Sequence, residues 1–243
     1  MPASTIMKKI SVLLLTIILF QFAHAQKNFF VKWAPASLAA GKLTVGSEFN
    51  FKKKQSVELF VGIPVPTNKE FDYDGNTSEL ESKAFSILAG YRYYLGKRNA
   101  SGLYIEPYVK YLKHEANGVL VGDLDNGPAR FATVTEYKGF GVGAQLGVQF
   151  IIAKKISFDL FFLGPEANSA KFSSRSTDVA DALPWTFIEA NEAENNVKDA
   201  MQDIPIIGDK MEVTVSQAQK TVFTKYDGFL PGFRFGASIG IRL

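Results

Sequence analysis

The stretch FLPGFRFGASIGIRL, Phe229 to Leu243, alternates without a break between two kinds of side chain. One set is Phe229, Pro231, Phe233, Phe235, Ala237, Ile239, Ile241 and Leu243; the other is Leu230, Gly232, Arg234, Gly236, Ser238, Gly240 and Arg242. A period of two over this length means a β-strand, because only an extended backbone throws successive side chains to opposite faces. An apolar face without charge, backed by Gly and Arg, suits a strand with lipid on one side and a tight polar interior on the other. The expectation is a closing strand of an outer-membrane β-barrel.

Working back from this stretch, the same alternation marks about eight segments: 28–38, 42–51, 55–66, 83–96, 102–115, 137–153, 155–166 and 228–243. In the sixth, Phe140, Val142, Ala144, Leu146, Val148, Phe150 and Ile152 share one face, with Gly141, Gly143, Gln145, Gly147 and Gln149 opposite. In the fourth, Phe85, Ile87, Ala89, Tyr91, Tyr93 and Leu95 stand against Ala84, Ser86, Leu88, Gly90 and Arg92. Pro35, Pro64, Pro66 and Pro107 cannot donate to a ladder and belong at strand ends or bulges. The connections fall into two sets. Lys52–Lys54, Gly96–Gly102 and Ala153–Lys155 are tight and basic, whereas 67–82, 116–136 and 168–227 read as long loops, with the short link Ala39-Ala40-Gly41 as an exception. Short periplasmic turns and long outer loops are the usual arrangement of membrane barrels. The two shorter of those loops are net acidic and the tight turns basic, as head groups would favour. The fold class expected is all-β, an antiparallel up-and-down transmembrane barrel of about eight strands, with a long outer-loop insertion holding one helix and a hairpin.

The start of the chain agrees with export. After Lys8 and Lys9 comes an apolar run from Ile10 to Phe22, then Ala23-His24-Ala25, a small-x-small cleavage pattern. Thirteen residues are too few to span a bilayer, so residues 1–25 are expected to be a signal peptide and 26–243 the barrel. Its removal takes two of the 27 Lys and Arg, leaving 25 basic against 24 acidic side chains, so the charge carries no signal for nucleic acid. With no Cys, disulfides and thiolate chemistry are excluded. No later stretch is long and apolar enough for a membrane helix, and a closed barrel is the other structure that satisfies its own backbone in lipid.

Parity puts nine charged residues on the face opposite the lipid: Lys32, Glu48, Glu58, Arg92, Glu106, Lys110, Asp159, Arg234 and Arg242. Five are basic and four acidic. Buried charges need partners, and an eight-stranded interior is just wide enough for side chains to fill. The expectation is a lumen plugged by an ion-pair network, with Glu58, Arg92 and Glu106 at similar heights forming a linked group; a gated proton or ion path is the functional alternative.

The signal peptide, the strand count, the basic turns and the Phe233, Phe235, Ile239, Ile241 alternation resemble the small outer-membrane barrels of the OmpX and OmpA-transmembrane-domain type. The resemblance covers the mature chain apart from 168–227. It implies outer-membrane lipid as surroundings, the assembly machinery as a partner that reads the final strand, and a monomer; that family usually ends in an aromatic residue, where this chain has Leu243. It implies no particular function.

Individual character is expected in 168–227, too long for a plain loop. Phe187 to Asp203 reads as an amphipathic helix with Ala190, Ala193, Val197, Ala200 and Met201 on one stripe, stopped by Pro205. Met211–Val215 and Thr221–Tyr226 read as a hairpin across Gln217–Gln219. This segment would either cap the rim and meet a surface protein partner or plug the lumen. Asp72-Tyr73-Asp74-Gly75-Asn76 and Asp123-Leu124-Asp125-Asn126-Gly127 resemble calcium loops superficially, but lack Gly at the sixth position with Glu at the twelfth and read as hairpin turns. His114, inward-facing near the outer rim, is the one histidine left after cleavage. Lipid A acyltransferases and deacylases are small barrels that use a rim histidine with a serine, but no serine is placed for that role by spacing here. The reading is therefore a non-enzymatic envelope protein without cofactor or metal, exported to the outer membrane. Its rivals are a lipid-modifying enzyme and an exported soluble ligand-binding barrel.

Overall fold

Ten antiparallel strands carry the described chain, eight of them joined in a ring, in a computed structural model that describes residues 28–73, 76–124, 127–179, 183–202 and 208–243. They are β1 (Phe29–Ala34), β2 (Lys42–Lys52), β3 (Gln55–Pro64), β4 (Thr67–Tyr73), β5 (Asn76–Tyr94), β6 (Gly102–Leu124), β7 (Gly127–Ile152), β8 (Ile156–Asp178), β9 (Glu212–Ser216) and β10 (Thr221–Arg242). The ring runs β1-β2-β3-β5-β6-β7-β8-β10 and closes where Phe30 to Trp33 pair with Arg242 to Ile239. β4 pairs with the upper part of β5, and β9 with the start of β10. The expected signal peptide, residues 1–25, lies outside the described residues.

One end of the ring has the tight turns, and the other is drawn out into long hairpins. Segments 67–82 and 116–136 are not loops: β4 pairs with β5, and β6 pairs with β7 from Gly102↔Gln149 to Leu124↔Gly127. Their tips at 74–75 and 125–126 lie outside the described residues, so the calcium-like segments are described only in part. In the expected 168–227 loop, 168–178 continues β8 and 221–227 opens β10. The remainder holds α1 (Phe187–Gln202) and the hairpin β9–β10. The first strand is shorter than the expected 28–38. Pro35 has no N–H for the ladder, and from it a 3-10 helix runs Pro35–Ala40 to Gly41, which turns with φ +71°.

Alternation sorts the side chains. On β5, Ala84, Leu88, Arg92 and Tyr94 are buried inside, while Ile87, Tyr91 and Tyr93 are exposed outside. Two β-bulges interrupt the pattern, between Gly143 and Leu146 against β8 and between Arg234 and Gly236. Their shared neighbour Leu163 on β8 has φ 55°, and there the inward set changes from Ser157, Asp159 and Phe161 to Gly164, Glu166 and Asn168.

Candidate functional site

Six strands each send one charged residue to a single point inside the ring: Lys32 from β1, Glu48 from β2, Glu58 from β3, Arg92 from β5, Glu106 from β6 and Asp159 from β8. None is more than 2% exposed. Glu48 and Glu58 are direct cross-strand partners, a like-charge pair that would be unfavourable without a cation between them. Lys32 Nζ supplies it, 2.6 Å from Glu48 Oε2 and 2.9 Å from Glu58 Oε1, and also lies 3.1 Å from Asp159 Oδ2. The Arg92 guanidinium works as a fork. Its Nη2 meets Glu58 Oε2 at 2.6 Å, its Nε meets Glu106 Oε2 at 2.5 Å and its Nη1 meets Asp159 Oδ2 at 2.6 Å.

Two cations face four carboxylates, and neutral donors supply further hydrogen bonds. Tyr94 and Ser56 hydroxyls donate to Glu48 Oε1 at 2.6 and 2.8 Å, Tyr104 donates to Asp159 Oδ1 at 2.7 Å, and Gln145 Nε2 donates to Glu106 Oε2 at 3.0 Å. Gln149 Oε1 accepts from Lys32 at 2.7 Å and from Arg92 at 3.2 Å. The Arg92 guanidinium also lies 4.1 Å from the centre of the Tyr104 ring. Gly90 makes room for this: a Cβ there would fall 2.1 Å from Glu106 Oε1.

Three of the nine residues expected in one network make no ion pair with the cluster's carboxylates. Lys110 pairs with Glu166, Arg234 donates to Gln145 Oε1 and lies over the Phe161 ring at 4.1 Å, and Arg242 lies over Phe30 at 4.8 Å. Higher on the strands they belong to, Lys110 and Arg234 are out of reach of the cluster's carboxylates. Tyr94, Tyr104, Ser56, Gln145 and Gln149 are partners that charge-based reading leaves out, although their inward parity matches that of the charged residues. Glu166 was hidden by the parity change at Leu163. His114 makes no hydrogen bond to a serine or carboxylate among the described residues.

Outside, exposed apolar side chains encircle the ring, among them Trp33, Val57, Ile87, Val109, Phe140, Phe150, Leu160 and Ile239. Above them on β5 to β7 runs a row of ion pairs, Lys83–Glu115, Lys113–Glu115, Lys113–Glu136 and Lys138–Glu136. Hydrogen bonds from Lys113 hold the Glu115 carboxyl below the usual range, as those from Lys138 do for Glu136.

The helix α1 opens with a capping box. Glu189 Oε2 accepts from the Thr186 backbone N–H at 2.7 Å, and Thr186 Oγ1 accepts from the Glu189 N–H at 3.3 Å. Its buried stripe, Ala190 and Ala193, joins Trp185 and Val222 in a small core flanked by Phe131, Val197, Val213 and Val215. Val222 shares the inward face of β10, so the helix lies against the inner side of the extended sheet; its Trp185 neighbour donates to Asp178 Oδ2 at 3.0 Å. The helix stop expected at Pro205 lies outside the described residues.

An antiparallel ring of eight strands with a charged interior and an apolar exterior is the class of protein that fold and site define. The chain belongs to the family described as Protein of unknown function (DUF3575), whose model matches residues 10–164. That span takes in all six residues of the interior cluster and stops at Gly164, before the upper part of β8, the helix and β10. No curated protein and no solved structure matches the chain.

Proposed function

We propose that this protein is an exported outer-membrane β-barrel of non-enzymatic, structural or surface-interaction role, whose lumen is plugged by the six-residue charged cluster. The observation that carries the reading is the inversion of polarity across the ring. Arg92, Glu48, Glu106 and Asp159 are 0% exposed inside, whereas Phe140 is 54% and Phe235 76% exposed outside. Water would disfavour so broad an apolar surface, and a bilayer would favour it. The apolar belt covers nine residues on β6, Leu103 to Tyr111, and thirteen on β7, Phe140 to Ile152, below the row of ion pairs. At about 3.4 Å per residue and a tilt of about 40°, that is roughly 20 to 30 Å of height, the scale of a membrane barrel's apolar band. A soluble ligand-binding barrel would carry the opposite arrangement, apolar within and charged without.

The test is twofold. Unboiled protein is expected to migrate faster than boiled protein on a denaturing gel and to fractionate with outer membranes. In planar bilayers it is expected to show no steady nanosiemens-scale steps, because the cluster leaves no continuous water column; reproducible steps of that size would refute the plugged lumen.

The cap is expected to be separable from the barrel. Asp178 N–H donates to Lys220 O at 2.9 Å, so β8 and β10 already meet as a hairpin would at that height. Replacing residues 179–219 with Asn-Gly, a two-residue turn that suits an antiparallel pair, is expected to leave the gel shift intact while removing any contact with a surface partner. A protein that no longer assembles would make the cap part of the barrel's core.

A further inference from the structure

Above the charged cluster the ring has a side opening. Because β1 ends at Ala34, its ladder with β10 covers only Ile239 to Arg242, and β9 pairs only with Thr221 to Lys225. Between them, from Tyr226 to Ser238, β10 has β8 along one edge and, among the described residues, no strand along the other. The 3-10 helix Pro35–Ala40 packs across this gap against β2 and β10. A cavity of about 300 Å³ opens there, lined by Lys42, Lys110, Glu166 and Arg234 together with Phe233 and Phe235. Consecutive side chains of a strand point to opposite faces, yet Phe233, Arg234 and Phe235 all line this one cavity. It therefore wraps the bare edge of β10 and connects the ring interior with the apolar exterior.

The charges in this port do not balance. Lys110 is paired with Glu166. Lys42 Nζ reaches the Ser86 hydroxyl at 3.1 Å, and Arg234 has Gln145 and the Phe161 ring; among the described residues neither cation has a carboxylate within 4.0 Å. Two half-buried cations without counter-charge face an exit walled by Phe233 and Phe235. A neutral amphiphile would leave the cations unpaired, and a small inorganic anion would leave the apolar exit unfilled. Downward the port is closed, since Gln145, which accepts from Arg234, donates to Glu106 of the buried cluster at 3.0 Å.

We propose that this lateral port binds a single-chain anionic amphiphile of the long-chain fatty-acid class. Its carboxylate sits between Lys42 and Arg234, and its chain leaves past Phe233 and Phe235 into the surrounding lipid. One strand edge and one short helical segment bound the opening, which suits one acyl chain. The site holds its ligand at the port and does not pass it through the lumen. The inference rests on the membrane-barrel reading.

The probe is a diazirine-bearing palmitate, photocrosslinked to the full chain in phosphatidylcholine nanodiscs. Saturable labelling within residues 35–42 and 226–238 is expected, displaced by oleate but not by oleyl alcohol or dioleoylphosphatidylglycerol. Lys42→Met and Arg234→Met are each expected to weaken the labelling about tenfold, the loss of one charge-assisted contact. Ala36→Trp, at an exposed residue lining the mouth, touches neither cation and is expected to block labelling in a barrel that keeps its gel shift. Unsaturable labelling spread over the outer belt, or equal displacement by oleyl alcohol, would overturn the port. Displacement by the two-chain lipid and not by oleate would overturn the single-chain assignment. A chain that does not insert into nanodiscs at all refutes the membrane reading and the port with it, whereas insertion without saturable labelling refutes the port alone.

Discussion

Arg92→Ala is expected to lower the unfolding free energy by about 3 to 5 kcal/mol, the cost of breaking a buried ion-pair set by removing one partner. The guanidinium touches Glu58, Glu106 and Asp159 within 2.6 Å, and all of them are buried. Alanine would leave Lys32 alone among four carboxylates with no route for water to replace the lost donors. Arg98→Ala, at an exposed position of the tight turn before β6, is expected to cost less than about 0.5 kcal/mol, since an exposed charge has little to lose. Urea unfolding followed by the gel shift gives both values. A double mutant of Arg92 and Glu58 should show coupling of at least about 0.5 kcal/mol, and strictly additive losses would mean that the pair contributes nothing.

The second large effect distinguishes membrane from water directly. Val134 and Val142 lie on the same strand, both outward, 48% and 49% exposed. They differ in height: Val142 lies within the apolar belt, and Val134 beyond Glu136 and Lys138 in the hairpin extension. If the belt sits in lipid, Val142→Arg is expected to cost about 2 to 4 kcal/mol and Val134→Arg about 1 kcal/mol or less, because the penalty for arginine in a membrane barrel depends on depth. In a water-surrounded ring the two substitutions would be alike. Equal tolerance would therefore remove the membrane from the proposal, whatever the shape of the ring.

Legibility in the sequence followed the apolar period. Strands with one greasy face, such as Phe140 to Ile152 and Phe233 to Arg242, could be read residue by residue, and the start of α1 and its hairpin to within a residue, where the period changes and Gln217–Gln219 breaks it. The upper halves of β6, β7 and β8 could not. There Thr133 bonds Ser176 at 3.0 Å and Thr135 bonds Ser174 at 3.1 Å, so the ladder is made by polar side chains with little greasy alternation to see. Such a stretch looks like a loop in sequence and becomes a strand because its partner is held in register by the ring below.

Charge on the inward parity was enough to single out Lys32, Glu48, Glu58, Arg92, Glu106 and Asp159 as interior residues, since alternation alone decides which face a side chain takes. Which of them meet was decided by tertiary structure. Six strands contribute one residue each, and the stagger of the ring brings these six to one height while Lys110, Arg234 and Arg242 are left at others. The bulge at Leu163 turned Glu166 inward against the simple count, and Pro35, plain in the sequence, became the cause of a lateral port only because β10 runs on for thirteen further residues, Tyr226 to Ser238, with no strand on that edge among the described residues. The alternation of a strand is a local property of extended backbone and is written along the chain; height, register and closure come from pairing between distant segments, and no single segment contains them.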